Sequence, residues 1–286
     1  LGKREVPTWL RLEVPPQPPE RQSLALLVQP ATLDELSIYV PDASGGWTRS
    51  DTGSRASFAS RGRSDLNFLQ ALTASTTQPT VIYLRVLTAT GALHARVLLR
   101  EEARDFDGRL LTVIGIYLGL AMMFTVLSAS MWAGTRDPLW ATAALFDLVT
   151  MLHVTLQTGL FARFVTPRAE DLIPILFPVT GATHLLVACL VFAMLVRTLQ
   201  APRWAAWGYY TSIPAALVCI ALASAGHQAL ALRLVNLFVL LMTIWGVPAT
   251  LASRTPDALL RRMYRILVFL LIGYLLAWAL ISMSQI

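Results

Sequence analysis

Long apolar runs fill residues 111–286, and they restrict the kinds of fold that this part of the chain can adopt. Residues 111–286 carry ten Lys/Arg and five Asp/Glu, against thirteen and twelve in residues 1–110. A run of about 20 apolar residues is long enough to cross a hydrocarbon core about 30 Å thick. We therefore expect a helical transmembrane domain over residues 111–286, with six spans near Leu110–Ala133, Leu139–Phe164, Leu172–Val196, Trp204–Ala223, Ala229–Ala252 and Met263–Met283.

Arginines at the ends of these spans predict their orientation. If residues 1–110 lie outside the cytoplasm, the inner loops carry seven arginines and the outer loops three, which is the direction that the positive-inside rule requires. The net charge of +6 comes from these loops and forms no basic stripe. We therefore expect a lipid bilayer as partner, and no nucleic acid.

The sequence of residues 1–100 indicates β structure. Thr8–Val14 alternates apolar and polar residues, which is typical of a half-buried strand, and turn sequences such as residues 41–46 separate similar runs. Further strands are expected at Ser23–Gln29, Leu33–Val40, Leu66–Thr73, Thr80–Thr88 and Leu93–Arg100. Short strands at this spacing favour an antiparallel β-sandwich or jelly roll, joined to the first span by a charged juxtamembrane linker at residues 101–110.

Several segments together resemble one bacterial family, the seven-transmembrane receptors with diverse intracellular signalling modules (7TMR-DISM). They are Trp9–Leu12, Leu33–Val40, Gly46-Trp47, Thr52-Gly53 and Tyr83–Val86 in the β part, and Gly115–Leu120, Thr135–Trp140 and Gln157–Phe161 in the spans. The resemblance starts partway into that family's extracellular jelly roll, so we expect earlier strands before Leu1. It implies a bacterial inner-membrane location and a β domain that binds carbohydrate-like or other small ligands.

The resemblance also implies an output. In this family a seventh span leads into a histidine kinase, a diguanylate cyclase or another catalytic module. Six crossings from an outside start return the chain to the outside, whereas a receptor that reports to the cytoplasm needs an odd number. We therefore expect a seventh span and an output module beyond Ile286, so that this chain is not itself an enzyme.

Six side chains of the β part are candidate ligand contacts: Trp9, Arg11, Tyr39, Trp47, Arg49 and Arg85. An aromatic ring can stack on the apolar face of a sugar, and an arginine fork can hold hydroxyls or a carboxylate. The alternative interpretation is structural. It makes Trp9 and Tyr39 core residues, and it pairs Arg11 and Arg85 with carboxylates such as Glu13 or Asp34.

Polar residues inside the spans form a second candidate set, an intramembrane relay of Asp147, His153, Gln157, His184 and Asn236. Such residues are costly in a bilayer and so suggest function, although hydrogen bonding between helices is the alternative. His153 and His184 are expected at one depth on consecutive spans. We expect no catalytic residue, metal or other cofactor, and no disulfide between Cys189 and Cys219.

Together these observations predict the input half of a transmembrane receptor, and the resemblance implies that it acts as a homodimer. Its outer domain would sense a small ligand or a periplasmic protein, and its helices would relay the event inward. The alternative is a transporter or channel subunit with an extracytoplasmic β domain, although the spans show no inverted repeat and few charges.

Overall fold

The computed structural model describes residues 4–42, 45–54, 56, 66–88, 93–164, 172–252, 254, 258–259, 261–262 and 265–266. The chain divides into two compact units. One comprises Leu1–Leu118 with Val154–Phe177, and the other comprises Gly119–His153 with Pro178–Ile286. The described strands all belong to the first unit.

The strands form an antiparallel β-sandwich, which confirms the predicted fold class. One sheet has four strands in the order β1-β6-β3-β4, and the other has three in the order β5-β2-β7. A single turn of 3-10 helix, Pro19–Arg21, follows the proline-rich loop. The strands are β1 (Arg4–Val14), β2 (Ser23–Gln29), β3 (Glu35–Pro41), β4 (Trp47–Thr52), β5 (Phe68–Thr73), β6 (Thr80–Thr88) and β7 (His94–Leu99).

The core of the sandwich lies between the two sheets. Alternate residues of each strand point inward, and they supply apolar side chains that are almost fully buried. From the four-stranded sheet come Leu36, Ile38, Ile82 and Leu84, and from the three-stranded sheet Leu26, Val28 and Phe68. Burial of each such side chain contributes roughly 1.5–3 kcal/mol, so this layer holds the two sheets together.

Strand β4 is the element that the sequence does not predict. Its residues Trp47–Thr52 pair with β3 from Pro41↔Trp47 to Leu36↔Thr52. Most of them are exposed, because β4 is the edge of its sheet. An edge strand with few buried side chains lacks the apolar alternation by which strands are identified.

Gly53, directly after β4, occupies a position that no other residue fits. Its φ is +147°, and a Cβ there would lie 3.0 Å from the carbonyl carbon of Asp34 and closer still to the oxygen. The next residue, Ser54, donates its backbone N–H to the Leu33 carbonyl at 2.7 Å, which fixes the segment.

We therefore expect Gly53→Ala to destabilise the sandwich by about 3 kcal/mol, because strain and overpacking add. The matched control is Gly45→Ala, at φ +84° with no atom within 4 Å of its Cβ, which should cost only about 1 kcal/mol. Thermal unfolding of the two variants in detergent measures the difference. Equal losses would show that the space at Gly53 is not limiting.

The helices account for five candidate membrane spans among the described residues. They are α1 (Arg100–Thr135), α2 (Pro138–Gln157), α3 (Leu160–Phe164), α4 (Ile173–Thr198), α5 (Arg203–Tyr210), α6 (Ser212–Ser224) and α7 (Gln228–Leu251). Helices α5 and α6 together make one span, Arg203–Ser224. The predicted sixth span, Met263–Met283, lies almost wholly outside the described residues.

Helix α1 begins directly after β7, so the charged segment 101–110 is helical and continuous with the first span. Glu101 and Glu102 lie in its first turn, where carboxylates interact favourably with the helix dipole. The Glu102 carboxylate also accepts a hydrogen bond from the backbone N–H of Leu99 at 3.2 Å, as in one half of a capping box. With 36 residues, α1 is about 54 Å long, longer than a bilayer core requires.

Two of the segments that resemble the receptor family form tight connections. Between α1 and α2, Arg136 adopts the left-handed φ of +58°. Asp137 then caps α2 by accepting the backbone N–H of Leu139 at 2.9 Å, and Pro138 takes the first helical position. After α2, Gly159 has a φ of +79°, which ends that helix before α3 begins.

Candidate functional site

The four-stranded sheet presents one side to the core and the other to solvent. We call the solvent side the outer face. Strand register places two rows of residues side by side on it, because partners in antiparallel strands share a face. The rows are Trp9, Arg85, Ser37 and Asp51, and next to them Arg11, Tyr83, Tyr39 and Arg49.

Aromatic rings form a continuous strip across the outer face. Tyr39 and Tyr83 are directly paired at its centre. Trp9 packs on Tyr39 with ring centroids 5.3 Å apart, and Trp47 packs edge-on against Tyr83 at 5.2 Å. Both tryptophans nevertheless remain 56% and 48% exposed. The strip is therefore held in place by its own contacts and still offers two large rings to a ligand.

Arginines and carboxylates surround this strip in matched pairs. The three ion pairs of the outer face are Arg11 with Glu13 (2.9 Å), Arg49 with Asp51 (2.8 Å) and Arg85 with Glu35 (3.4 Å). The Arg49 side chain also lies over the Tyr39 ring, with its guanidinium carbon 5.8 Å from the ring centroid, as in a cation–π contact. Each of these arginines thus has a carboxylate beside it, and the six charges cancel.

A shallow groove of about 240 Å³ opens at the β3–β4 end of the outer face. Its polar lining includes Glu35, Ser37, Arg49, Asp51 and Arg85. This volume lies below the usual range for enclosed small-molecule sites. The groove is therefore suited to one edge of a ligand whose remainder rests on the aromatic strip.

Asp51 is the outer-face carboxylate with the most hydrogen bonding. It accepts a hydrogen bond from Arg49 Nε at 2.8 Å, and this bond, followed by one from the Ser37 hydroxyl, lowers the pKa of Asp51 below its usual 3.8. A lowered pKa in the folded state means that the ionised group stabilises the fold above the unfolded-state pKa. That contribution is lost as the pH falls through the folded-state value.

We therefore expect Asp51→Asn to lower the unfolding temperature at pH 7, and this loss to shrink as the pH falls below the usual aspartate pKa of 3.8. The difference should be no more than about 2 °C, because both partners are exposed to solvent. Thermal scans of native chain and variant across this pH range test the sign. A difference that grows toward acid pH would contradict the assignment.

The outer face brings together all six of the predicted ligand contacts, Trp9, Arg11, Tyr39, Trp47, Arg49 and Arg85. The alternative that made Trp9 a core residue is wrong, because its ring points to solvent. Arg11 pairs with Glu13 as expected. Arg85 also pairs with a carboxylate, which is Glu35 and neither of the two examples named in the prediction.

Five further residues of the outer face were not among the predicted contacts: Glu13, Glu35, Ser37, Asp51 and Tyr83. The signal that could have found Glu35, Ser37 and Tyr83 is their period-2 spacing from Tyr39 and Arg85, which puts them on the same side of β3 and β6. Asp51 belongs to β4, which the sequence did not predict as a strand.

The intramembrane residues divide into a pair and three others. The rings of His153 and His184 stack with centroids 6.3 Å apart, but they are not hydrogen-bonded to each other. His153 Nδ1 instead shares a 3.0 Å hydrogen bond with the Thr180 hydroxyl, and His184 Nε2 is buried without a partner among the described residues. Asp147 is half-buried, whereas Gln157 and Asn236 are exposed on their helices.

Cys189 and Cys219 are both buried free thiols, as expected. The Cys189 thiol lies 3.2 Å from the sulfur of Met242 on α7. Both cysteines belong to the apolar core of the second unit, together with Tyr209 and Val235. They therefore contribute to helix packing.

An exposed aromatic and polar face on a β-sandwich, joined to several membrane-spanning helices, defines a membrane protein with a sensor-type domain. Residues 1–101 match the family of 7TMR-DISM extracellular 2 domains. No curated protein and no solved structure matches the chain. The family match covers the β-sandwich and confirms the resemblance seen in the sequence of that part of the chain. The chain is thus a multi-pass membrane protein with an extracellular N-terminal domain, of a kind that suits the input half of a receptor.

Proposed function

We propose that the outer face binds a neutral, polyhydroxylated ligand of the carbohydrate type, and that the chain is the input half of a bacterial inner-membrane receptor. The observation that carries the proposal is the gathering of four aromatic rings and three arginine–carboxylate pairs on one sheet face. Rings stack on the apolar face of a sugar, while paired charges offer donors and acceptors to its hydroxyls.

The charge balance of the outer face favours a neutral ligand over an anionic one. Arg11, Arg49 and Arg85 are each engaged by a carboxylate on the same face. An anionic ligand would have to approach those carboxylates or displace them, and it would then leave a charge unpaired. A neutral ligand can hydrogen-bond to both members of a pair without breaking it.

The proposal that the chain transmits a signal across the membrane rests on the resemblance to the receptor family. Helix α1 continues from the β domain into the membrane without interruption, so a displacement of the sandwich acts directly on a span. We infer that the signal reaches a cytoplasmic histidine kinase or diguanylate cyclase in the complete protein, which acts as a homodimer. Reading the gene past Ile286 tests this part, and a further span followed by such a module is the expected result.

An oligosaccharide array tests the ligand class. The chain, reconstituted in lipid nanodiscs, is applied to neutral oligosaccharides and to matched uronic-acid oligosaccharides. We expect binding to neutral members and about tenfold weaker binding or none to acidic ones. Preferential binding of acidic members would overturn the charge argument. Absence of all glycan binding would overturn the carbohydrate assignment and direct the search to a periplasmic protein partner.

A further inference from the structure

A buried chain of polar side chains connects the three-stranded sheet to helix α1. Gln29 at the end of β2 donates its side-chain N–H to Asn67 Oδ1 at 3.0 Å. Asn67, just before β5, donates its own side-chain N–H to Asp107 Oδ1 on α1 at 2.8 Å. Asn67 and Asp107 are only 3% and 8% exposed. Amide and carboxylate groups that are buried in this way must keep their partners, because loss of a buried hydrogen bond leaves the full desolvation cost.

An apolar contact lies next to this polar chain. Leu66, which precedes Asn67, packs in one cluster with Ile114 of α1 and Leu160 of α3, and all three are almost fully buried. Leu160 belongs to the segment after α2 that resembles the receptor family, and the turn at Gly159 positions it.

One face of α1 supplies the helical side of both contacts. Ala103, Asp107, Leu110, Ile114 and Leu118 follow one another at intervals of three or four residues, so they form a single stripe. The stripe begins among the charged residues of the first turns and continues into the apolar span. The contact therefore spans the boundary between the charged start of α1 and its apolar part.

We propose that this contact, which we call the sheet–helix joint, makes the β domain and the first membrane helix move together and so transmits ligand binding to the bundle. The proposal deepens the receptor function above and rests on it. The joint consists of Gln29, Leu66, Asn67, Asp107, Ile114 and Leu160.

The sandwich supplies a packed route from the outer face to the joint. Successive residues of a strand point to opposite sides. Phe68 is buried in the core between the sheets, and its neighbour Asn67 bonds to α1. Across that core, Leu36 and Leu84 belong to the two strands that carry Tyr39 and Tyr83 on the outer face. Packed interiors transmit displacement, because they are close-packed and deform little.

Hydrogen exchange of the full chain in nanodiscs, without any ligand, tests the joint. In Asn67→Ala and in Asp107→Ala we expect the backbone amides of both residues 100–111 and β5 to exchange about tenfold faster. Each substitution must affect the other element, because coupling is reciprocal. The double variant should be no faster than Asn67→Ala, because that substitution already removes the hydrogen bond that Asp107→Ala breaks.

Two variants control this experiment. Asp107→Asn keeps an oxygen that accepts from Asn67 and should stay near the native rate. Asp105→Asn alters an exposed carboxylate on the same turn of α1 and should change nothing. If Asp107→Ala does not fold, Leu66→Ala probes the apolar half of the joint with the same readout.

Additive effects, or faster exchange confined to the substituted element, would overturn the proposal and leave the joint as a local contact. This outcome would not bear on ligand binding, because no ligand is present. Conversely, failure of the oligosaccharide array would leave the exchange result standing. The two experiments therefore test the joint and the ligand class independently.

Discussion

A chain in which Trp9 and Trp47 are both replaced by alanine is expected to bind neutral oligosaccharides at least about 100-fold more weakly than the native chain. Exposed tryptophans at the centre of a binding surface commonly contribute about 2 kcal/mol or more each, and two such losses multiply in the dissociation constant. Each ring packs on a tyrosine of the neighbouring strands but is half exposed, so alanine removes contact area at little cost to the core. Titration of the nanodisc-embedded chain with an array-selected oligosaccharide measures the loss.

Conservative and remote substitutions control this experiment. Trp9→Phe with Trp47→Phe keeps flat rings at both positions and should retain much of the affinity. Arg21→Ala, at an exposed position in the 3-10 turn, should have no effect. An alanine double variant with native affinity would show that the ligand does not use the aromatic strip.

Gly208→Ala is expected to destabilise the helical bundle by about 3 kcal/mol or more. Gly208 lies on α5 where the indole of Trp245 from α7 covers it, and a Cβ would overlap the ring, with the indole Cδ1 at 2.6 Å. The ring cannot easily withdraw. Its Nε1 donates to the Ala205 carbonyl at 3.1 Å, and it packs edge-on against Trp204. Overpacking at a fixed contact forces helices apart, which thermal unfolding in detergent detects.

Gly134→Ala is the matched control for this substitution. Gly134 lies near the end of α1 with no atom within 4 Å of its Cβ, so alanine there should be neutral or stabilise by up to about 1 kcal/mol. Adding Trp245→Phe to Gly208→Ala should recover part of the loss, since the smaller ring leaves space. Equal stability of Gly208→Ala and Gly134→Ala would contradict the α5–α7 contact.

The regular part of this fold could be predicted from the sequence because its signals are local. Strands β2 and β6 begin and end at the predicted residues, Ser23–Gln29 and Thr80–Thr88. The apolar spans likewise follow from composition and length alone. The period-2 spacing also predicts that Trp9 faces solvent, because it puts Trp9 on the same side of β1 as Arg11 and Glu13. The prediction that Trp9 is a core residue was wrong because it relied on the apolar character of tryptophan and not on the position of Trp9 along β1.

The remaining features depend on contacts between distant segments. Strand β4 lacks an apolar alternation, because Thr52 and Ser50, which pair with the core residues Leu36 and Ile38, are polar. The joint unites Gln29, Asn67 and Asp107, each about 40 positions from the next, and none of these residues is unusual in its own neighbourhood. The hydrogen bond between His153 and Thr180 crosses two helices in the same way. Such pairings appear only once tertiary packing is known.

A ligand on the outer face is expected to alter the structure or dynamics of the start of α1, the first membrane helix. Hydrogen exchange of the whole nanodisc-embedded chain, with and without the selected neutral oligosaccharide, tests this expectation most directly. We expect slower exchange in β3, β4 and β6, together with a change in residues 100–111 of α1. Protection confined to the three-stranded sheet, or protection of the outer face with α1 unchanged, would contradict it.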